Sequence, residues 1–159
     1  MAVPKTIVTV SSKGVKYSSD IDLVKYSIRE LTIAALRDVG KVMRYKILIE
    51  QRKLKGFNKL RKGDRIIKGT RYKMNYKNLS VMLGFTHDAW YSAGQELGSY
   101  KMPALGIMTG IVRGNIALIR EIEGKYLTYI NDKEMLLRKL ADIENENKTA
   151  DEGELASEI

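Results

Sequence analysis

"RYKMNYKNLSVMLGF", residues 71–85, decides how this chain folds. Tyr72, Met74 and Tyr76 alternate with Arg71, Lys73, Asn75 and Lys77, which is the period of a half-buried strand with one cationic face. From Leu79 the apolar positions change parity and fall on Leu79, Val81, Leu83 and Phe85. A period-two pattern changes parity only at a turn or a bulge, and Lys77-Asn78 is the place for it. An antiparallel pair is expected here.

Toward the N-terminus, Lys5 to Val10 is short and β-branched and reads as a strand. Ser18-Ser19-Asp20 offers N-cap side chains, with Asp22 three residues after Ser19 in a capping-box arrangement. Beyond it Val24, Ile28, Leu31, Ala35, Val39 and Val42 recur at spacings of three and four. This predicts an amphipathic helix from Asp22 to about Leu54, interrupted only by Gly40. Its polar face carries Lys25, Arg29, Arg37, Lys41 and Arg44. Gly56 to Asp64 (GFNKLRKGD) reads as a mobile basic loop.

Toward the C-terminus lies YSAGQELGSYKMPALGIM, residues 91–108, with Glu96 alone in an almost uncharged neighbourhood. A lone carboxylate without a partner is a poor catalytic acid or base, so capping a turn or meeting a neighbour's cation is the expected role. Ile107, Ile111, Ala117, Leu118 and Ile122 predict a second helix ending or kinking at Gly124. A third segment, Tyr126 to about Ile143, continues with Ile130, Leu136, Leu137 and Leu140. Gly106, Gly110 and Gly114 form a stripe on the second helix that lets another backbone approach closely. Two readings stay open: packing on the helix's own sheet, or packing against a neighbouring subunit. The last residues have too few apolar side chains to offset ordering entropy. The expected fold is therefore α+β, a small antiparallel sheet packed against long helices. Residues 1–143 form one domain and 144–159 a disordered acidic tail.

The 159 residues and 44% hydrophobic content suit a single domain with a real core. There is no cysteine and one histidine, His87, which removes disulfides, thiol nucleophiles and Cys/His metal sites. No cofactor or metal is expected. The longest uncharged run near the middle, Met102 to Val112, is far below the roughly 18 apolar residues a bilayer span needs. The N-terminal MAVPKTIVTV lacks a signal peptide's features, so a soluble intracellular product is expected. His87-Asp88 is the only imidazole–carboxylate neighbour pair, and adjacent strand residues point to opposite faces. No enzyme is expected. Trp90 and Tyr91 read as core or interface aromatics, since they lack the repeated spacing of a base-stacking platform.

Net charge is +9, unevenly placed. Lys41 to Lys77 holds fourteen Lys/Arg against two acids, a surplus of twelve. Ala141 to Ile159 holds seven acids against one lysine. Such blocks read as solvated faces, or more sharply as nucleic-acid contact by the middle and charge pairing with the tail.

An alternating strand followed by an aromatic pair, Glu-Leu-Gly-Ser, Met-Pro-Ala and a long helix resembles the neck and tail-completion (head–tail joining) family of long-tailed bacteriophages. Trp90-Tyr91-Ser92-Ala93 is similar to that family's aromatic entry. Glu96, Leu97, Gly98 and Ser99 occupy its Glu-Phe-Gly-Thr positions, with Leu97 for the phenylalanine and Ser99 for the threonine. Pro103 and Ala104 resemble its helix start. The family's Thr-Gly-x-Leu turn after the first helix is replaced here by the lysine-rich stretch. The resemblance spans about Val24 to Ile122 and is distinctive from Leu79 to Met108.

It implies a non-enzymatic structural virion protein, made in the host cytoplasm, forming a homo-oligomeric ring that joins head connector to tail around the DNA path. The implied partners are further copies of itself, other connector proteins, the tail terminator or tube, and double-stranded DNA held without sequence preference; no membrane is implied. The expected subunit or partner contacts are Trp90, Tyr91, Glu96, Leu97, Gly98, Ser99, Pro103, Gly106, Gly110 and Gly114. Lys53, Lys55, Lys59, Arg61 and Lys62 are the DNA-facing candidates. A basic nucleic-acid-binding module is the alternative.

Overall fold

The structure, a computed structural model, describes residue 4 and residues 7–10, 16–54, 66–89, 91–100 and 103–155. The chain divides into two compact units, residues 1–34 with 124–159, and residues 35–123.

In the first unit, β1 (Ile7–Val10) pairs antiparallel with β2 (Lys16–Ser19), Ile7 opposite Ser19. The second strand has no apolar alternation to announce it. Helix α1 (Ile21–Lys53) follows at once. Ser19 is thus the last residue of the strand, one position before the cap. The cap position passes to Asp20, whose carbonyl accepts the Val24 N–H at 2.9 Å.

The buried face of α1 here is Leu23, Ser27, Leu31 and Ala34. Val24 and Ile28, expected on the core face, are exposed beside Ile21. Ser27 explains the error. Its hydroxyl donates to the Leu23 carbonyl at 2.6 Å, so a polar residue sits inside the apolar stripe with its hydrogen bond satisfied by the helix itself.

Leu31 and Ala34 pack against Leu136, Leu140 and Ile143 of helix α6 (Lys133–Leu155), with Tyr26, Tyr126, Tyr129 and Ile130 around them. Asp132 starts α6: its Oδ1 accepts the Glu134 N–H at 2.9 Å, and its carbonyl accepts the Leu136 N–H at 2.9 Å. Burial, then the charges of Glu30 and Glu144, push the Tyr26 hydroxyl above its ordinary pKa, and it donates a hydrogen bond to Glu144. Among the described side chains, burial on α6 ends at Ile143, while the helical backbone runs on to Leu155.

In the second unit α1 continues with Ala35, Val39, Gly40, Met43, Ile47 and Gln51 buried. The short helix α2 (Ile66–Gly69) leads into β3 (Thr70–Asn75), which pairs antiparallel with β4 (Ser80–Phe85). This is the expected hairpin. Its turn covers residues 76–79, so Tyr76 and Leu79 belong to the turn and not to the strand faces; both are exposed. Asn75 Oδ1 accepts the N–H groups of Lys77 (3.1 Å) and Asn78 (3.3 Å), the local bond that makes asparagine a turn former.

The inward face pairs Tyr72 with Leu83 and Met74 with Val81. Gly40 does not interrupt α1: a Cβ there would stand 2.7 Å from the Tyr72 ring, so the glycine is what lets β3 approach the helix. Arg44, expected on the solvated face, donates from Nε to the Thr70 carbonyl at 2.9 Å and ties the strand to α1. Thr70 is buried, its hydroxyl within hydrogen-bond reach of Gln51 Oε1 (2.9 Å) and the Ile66 carbonyl (3.0 Å). The described chain is mostly helical, with this small antiparallel sheet against a long helix, an α+β fold as the sequence indicates.

Beyond β4 come a 3₁₀ turn (His87–Ala89), α3 (Tyr91–Leu97), α4 (Ile107–Gly114) and α5 (Ile116–Thr128). The second helix therefore breaks at Asn115, while Gly124 lies inside α5. Asn115 Nδ2 donates to the Ile111 carbonyl at 2.7 Å, and Lys46 donates to its Oδ1 at 2.7 Å. An amide that bonds backward along the helix and across to α1 fixes the break better than a glycine, which has no side chain to do either.

Candidate functional site

The joint between α3 and α4 brings together most of the residues that the sequence singles out. Glu96 sits one residue before the end of α3. Its Oε2 accepts the Ile107 N–H at 3.0 Å, and its Oε1 accepts those of Met108 (2.8 Å) and Thr109 (3.2 Å). These are the first N–H groups of α4, which lack partners within their own helix. A carboxylate is well suited to them, since the N-terminal end carries the positive end of the helix dipole. Glu96 is therefore a cap acting across eleven residues of chain, the structural role its isolation suggested.

Two backbone bonds close the same loop at its base, Leu105 N–H to the Gln95 carbonyl (2.9 Å) and Gly106 N–H to the Glu96 carbonyl (3.1 Å). Gly98 turns the chain out of α3 at φ 86°, and a Cβ there would also meet the Ala104 backbone nitrogen at 2.9 Å. Gly106 supplies the left-handed residue (φ 58°) immediately before α4. Both positions favour glycine on conformational grounds.

Pro103 does not open the helix as expected. It lies with Ala104 in an exposed, non-helical segment, and α4 begins only at Ile107. The start of α4 is set by the Glu96 carboxylate, which reaches no N–H before that of Ile107. Gly106 likewise leaves the expected stripe, since it precedes the helix. Gly110 and Gly114 remain on α4, where an added Cβ would meet no atom of another described element within 4 Å. Close packing on the chain's own sheet is thus not the reason for these two glycines.

Leu97 is 78% exposed, and Tyr100 and Leu105 also face solvent, while the backbone that carries them is pinned at its base. Ser99 is exposed and Tyr91 is half-buried. Ser92 beside it is buried with its hydroxyl donating to the Ala89 carbonyl. Of the expected contact residues, Trp90 lies outside the described residues. So do Lys55, Lys59, Arg61 and Lys62 of the basic loop. Lys53 is exposed at the end of α1 and pairs with Glu50 at 2.6 Å. His87 is exposed in its 3₁₀ turn.

Sequence reasoning missed Tyr100 and Leu105 as surface residues. Apolar spacing alone gives no sign that a loop is held away from the core. It also missed Asn115, whose signal was an amide where two helical patterns meet. Among the described residues no group of three or more His, Cys, Asp or Glu could hold a metal ion, and no helix is long and apolar enough to cross a membrane.

Fold and joint together define a small α+β protein in which Glu96 ties the end of α3 to the start of α4. No family model matches the chain, and no curated protein and no solved structure does so either.

Proposed function

We propose that this protein is a structural component of a phage neck, forming a homo-oligomeric ring that joins the head connector to the tail and surrounds the DNA path. The observation that carries the reading is the loop closed by Glu96, which holds Leu97, Tyr100 and Leu105 out in solvent. Fully burying a side chain of this size contributes roughly 1.5–3 kcal/mol. Backbone already tied at Gln95–Leu105 and Glu96–Gly106 avoids part of the entropy cost of association. The sequence resemblance runs through the same residues, from Tyr91 to Ala104, and gives the loop its partners: further copies, other connector proteins, and the tail terminator or tube.

Deleting the gene from a phage that carries it is the test. Lysates should contain filled heads and separate tails that fail to form infectious particles. Normal particle yield with defective DNA synthesis would overturn the reading.

A basic nucleic-acid-binding module is the second reading, favoured by the exposed cations Arg71 and Lys73 on β3. A module that acts on the genome as a regulator should bind one sequence tightly and resist salt. A channel protein should show no sequence preference.

A further inference from the structure

We infer that the outward face of the β3–β4 ribbon is a docking surface for the phosphate backbone of duplex nucleic acid. Residues 66–87 contain Lys68, Arg71, Lys73 and Lys77 and not one acid. Alternate residues on one strand stand about 7 Å apart on the same face, so Arg71 and Lys73 point outward together, far enough apart to take separate phosphates. Opposite them in register are Gly84 and Met82. A Cβ at Gly84 would meet nothing within 4 Å, which leaves the surface beside Arg71 flat. Lys77 adds a third exposed cation in the turn beside it.

Several cations elsewhere in the chain are already engaged, while those of the ribbon, like Lys25, Arg29 and Arg120, are not among the described residues. Lys41 pairs with Asp38, Lys53 with Glu50 and Lys133 with Asp20. Arg44 and Lys46 are used in hydrogen bonds to Thr70 and Asn115. Arg71, Lys73 and Lys77 have no ion pair or side-chain hydrogen bond among the described residues. Three unpaired like charges on one small ribbon repel one another, and a polyanion relieves that repulsion.

The chain's own acidic end is the rival occupant, from a second copy. Its surplus of six acids is spread over the nineteen residues 141–159. Double-stranded DNA, with one charge per about 1.7 Å of axis, offers a far denser line of anions to cations that stand about 7 Å apart. A two-stranded ribbon also has the width that the major groove admits.

The inference rests on the nucleic-acid partner of the proposed function and not on the ring, so purified protein in any oligomeric state serves. Full-length R71Q/K73Q/K77Q and K25Q/R29Q/R120Q lose the same charge, the second set from exposed sites elsewhere. Binding to random-sequence duplex DNA is measured by fluorescence anisotropy across salt, with circular dichroism to check the fold. The ribbon variant should bind about tenfold or more weakly at low salt, and its salt slope should fall by about three. The control set should keep the slope of the parent. Equal losses in both sets, an unchanged ribbon variant, or preference for one sequence would each overturn the inference. If the ribbon variant keeps DNA affinity but loses self-association in sedimentation, the acidic tail is the occupant and the inference fails. None of these outcomes depends on whether particles assemble, so the neck reading stands or falls separately.

Discussion

Glu96 shows what one side chain settles. Both of its oxygens are spent on the first N–H groups of α4, an eight-residue helix too short to hold itself in water. Glu96→Ala should lower stability by about 0.5–2 kcal/mol, the usual cost of losing an N-terminal cap. Glu96→Gln keeps an acceptor and should fall between the two. Urea unfolding of the three proteins measures this. An alanine variant as stable as the parent would mean that the cap contributes nothing net. The sequence made Glu96 conspicuous by the absence of neighbouring charge. It could not show that the partners were backbone groups eleven to thirteen residues on, because any side chain can sit on those N–H groups.

At the scale of elements, glycines with the same helix propensity separate by surroundings. Gly40 and Gly110 are both helical, and alanine at either would gain about 1 kcal/mol from propensity alone. At Gly40 the new methyl would lie 2.7 Å from the Tyr72 ring, and overpacking costs about 1–3 kcal/mol. At Gly110 it would meet open space. Gly40→Ala should therefore destabilise the isolated protein and Gly110→Ala should stabilise it, a difference in sign readable from thermal or urea midpoints. Tyr72→Leu should relieve much of the Gly40→Ala penalty, since the two changes share one contact. A loss of stability in Gly110→Ala would mean that α4 packs more closely than its open glycine faces indicate.

For the whole molecule, the proposed ring would set the open face of α4 and the Glu96 joint between copies. If neighbouring subunits use them, Gly110→Leu and Leu97→Asp should leave the monomer folded and reduce incorporation into particles. In a ring the same penalty recurs at every interface, so a modest local cost becomes a large assembly defect. Circular dichroism reports the fold, and particle incorporation reports assembly. Unimpaired incorporation of both variants would place the ring contact elsewhere.

What the sequence determined is periodic and local. The parity change across residues 71–85 is enough for the β3–β4 hairpin, because side chains alternate with a strict period of two. The spacing of Leu31, Ala35 and Val39 is enough for α1 through Gly40. The charge surplus of the middle and the acidity of the end are properties of composition. The tertiary structure decided everything that depends on an unlike neighbour. Ser27 belongs to the core because its hydroxyl is satisfied by its own helix. Gly40 is required by a tyrosine ring 32 residues away in sequence. Pro103 starts no helix because a distant carboxylate starts it at Ile107 instead. For Gly40 and Pro103 the deciding interaction lies between residues that have no fixed spacing, so no periodic reading of the chain contains it; Ser27 bonds at the helical spacing, and only the packing around it shows that it is buried.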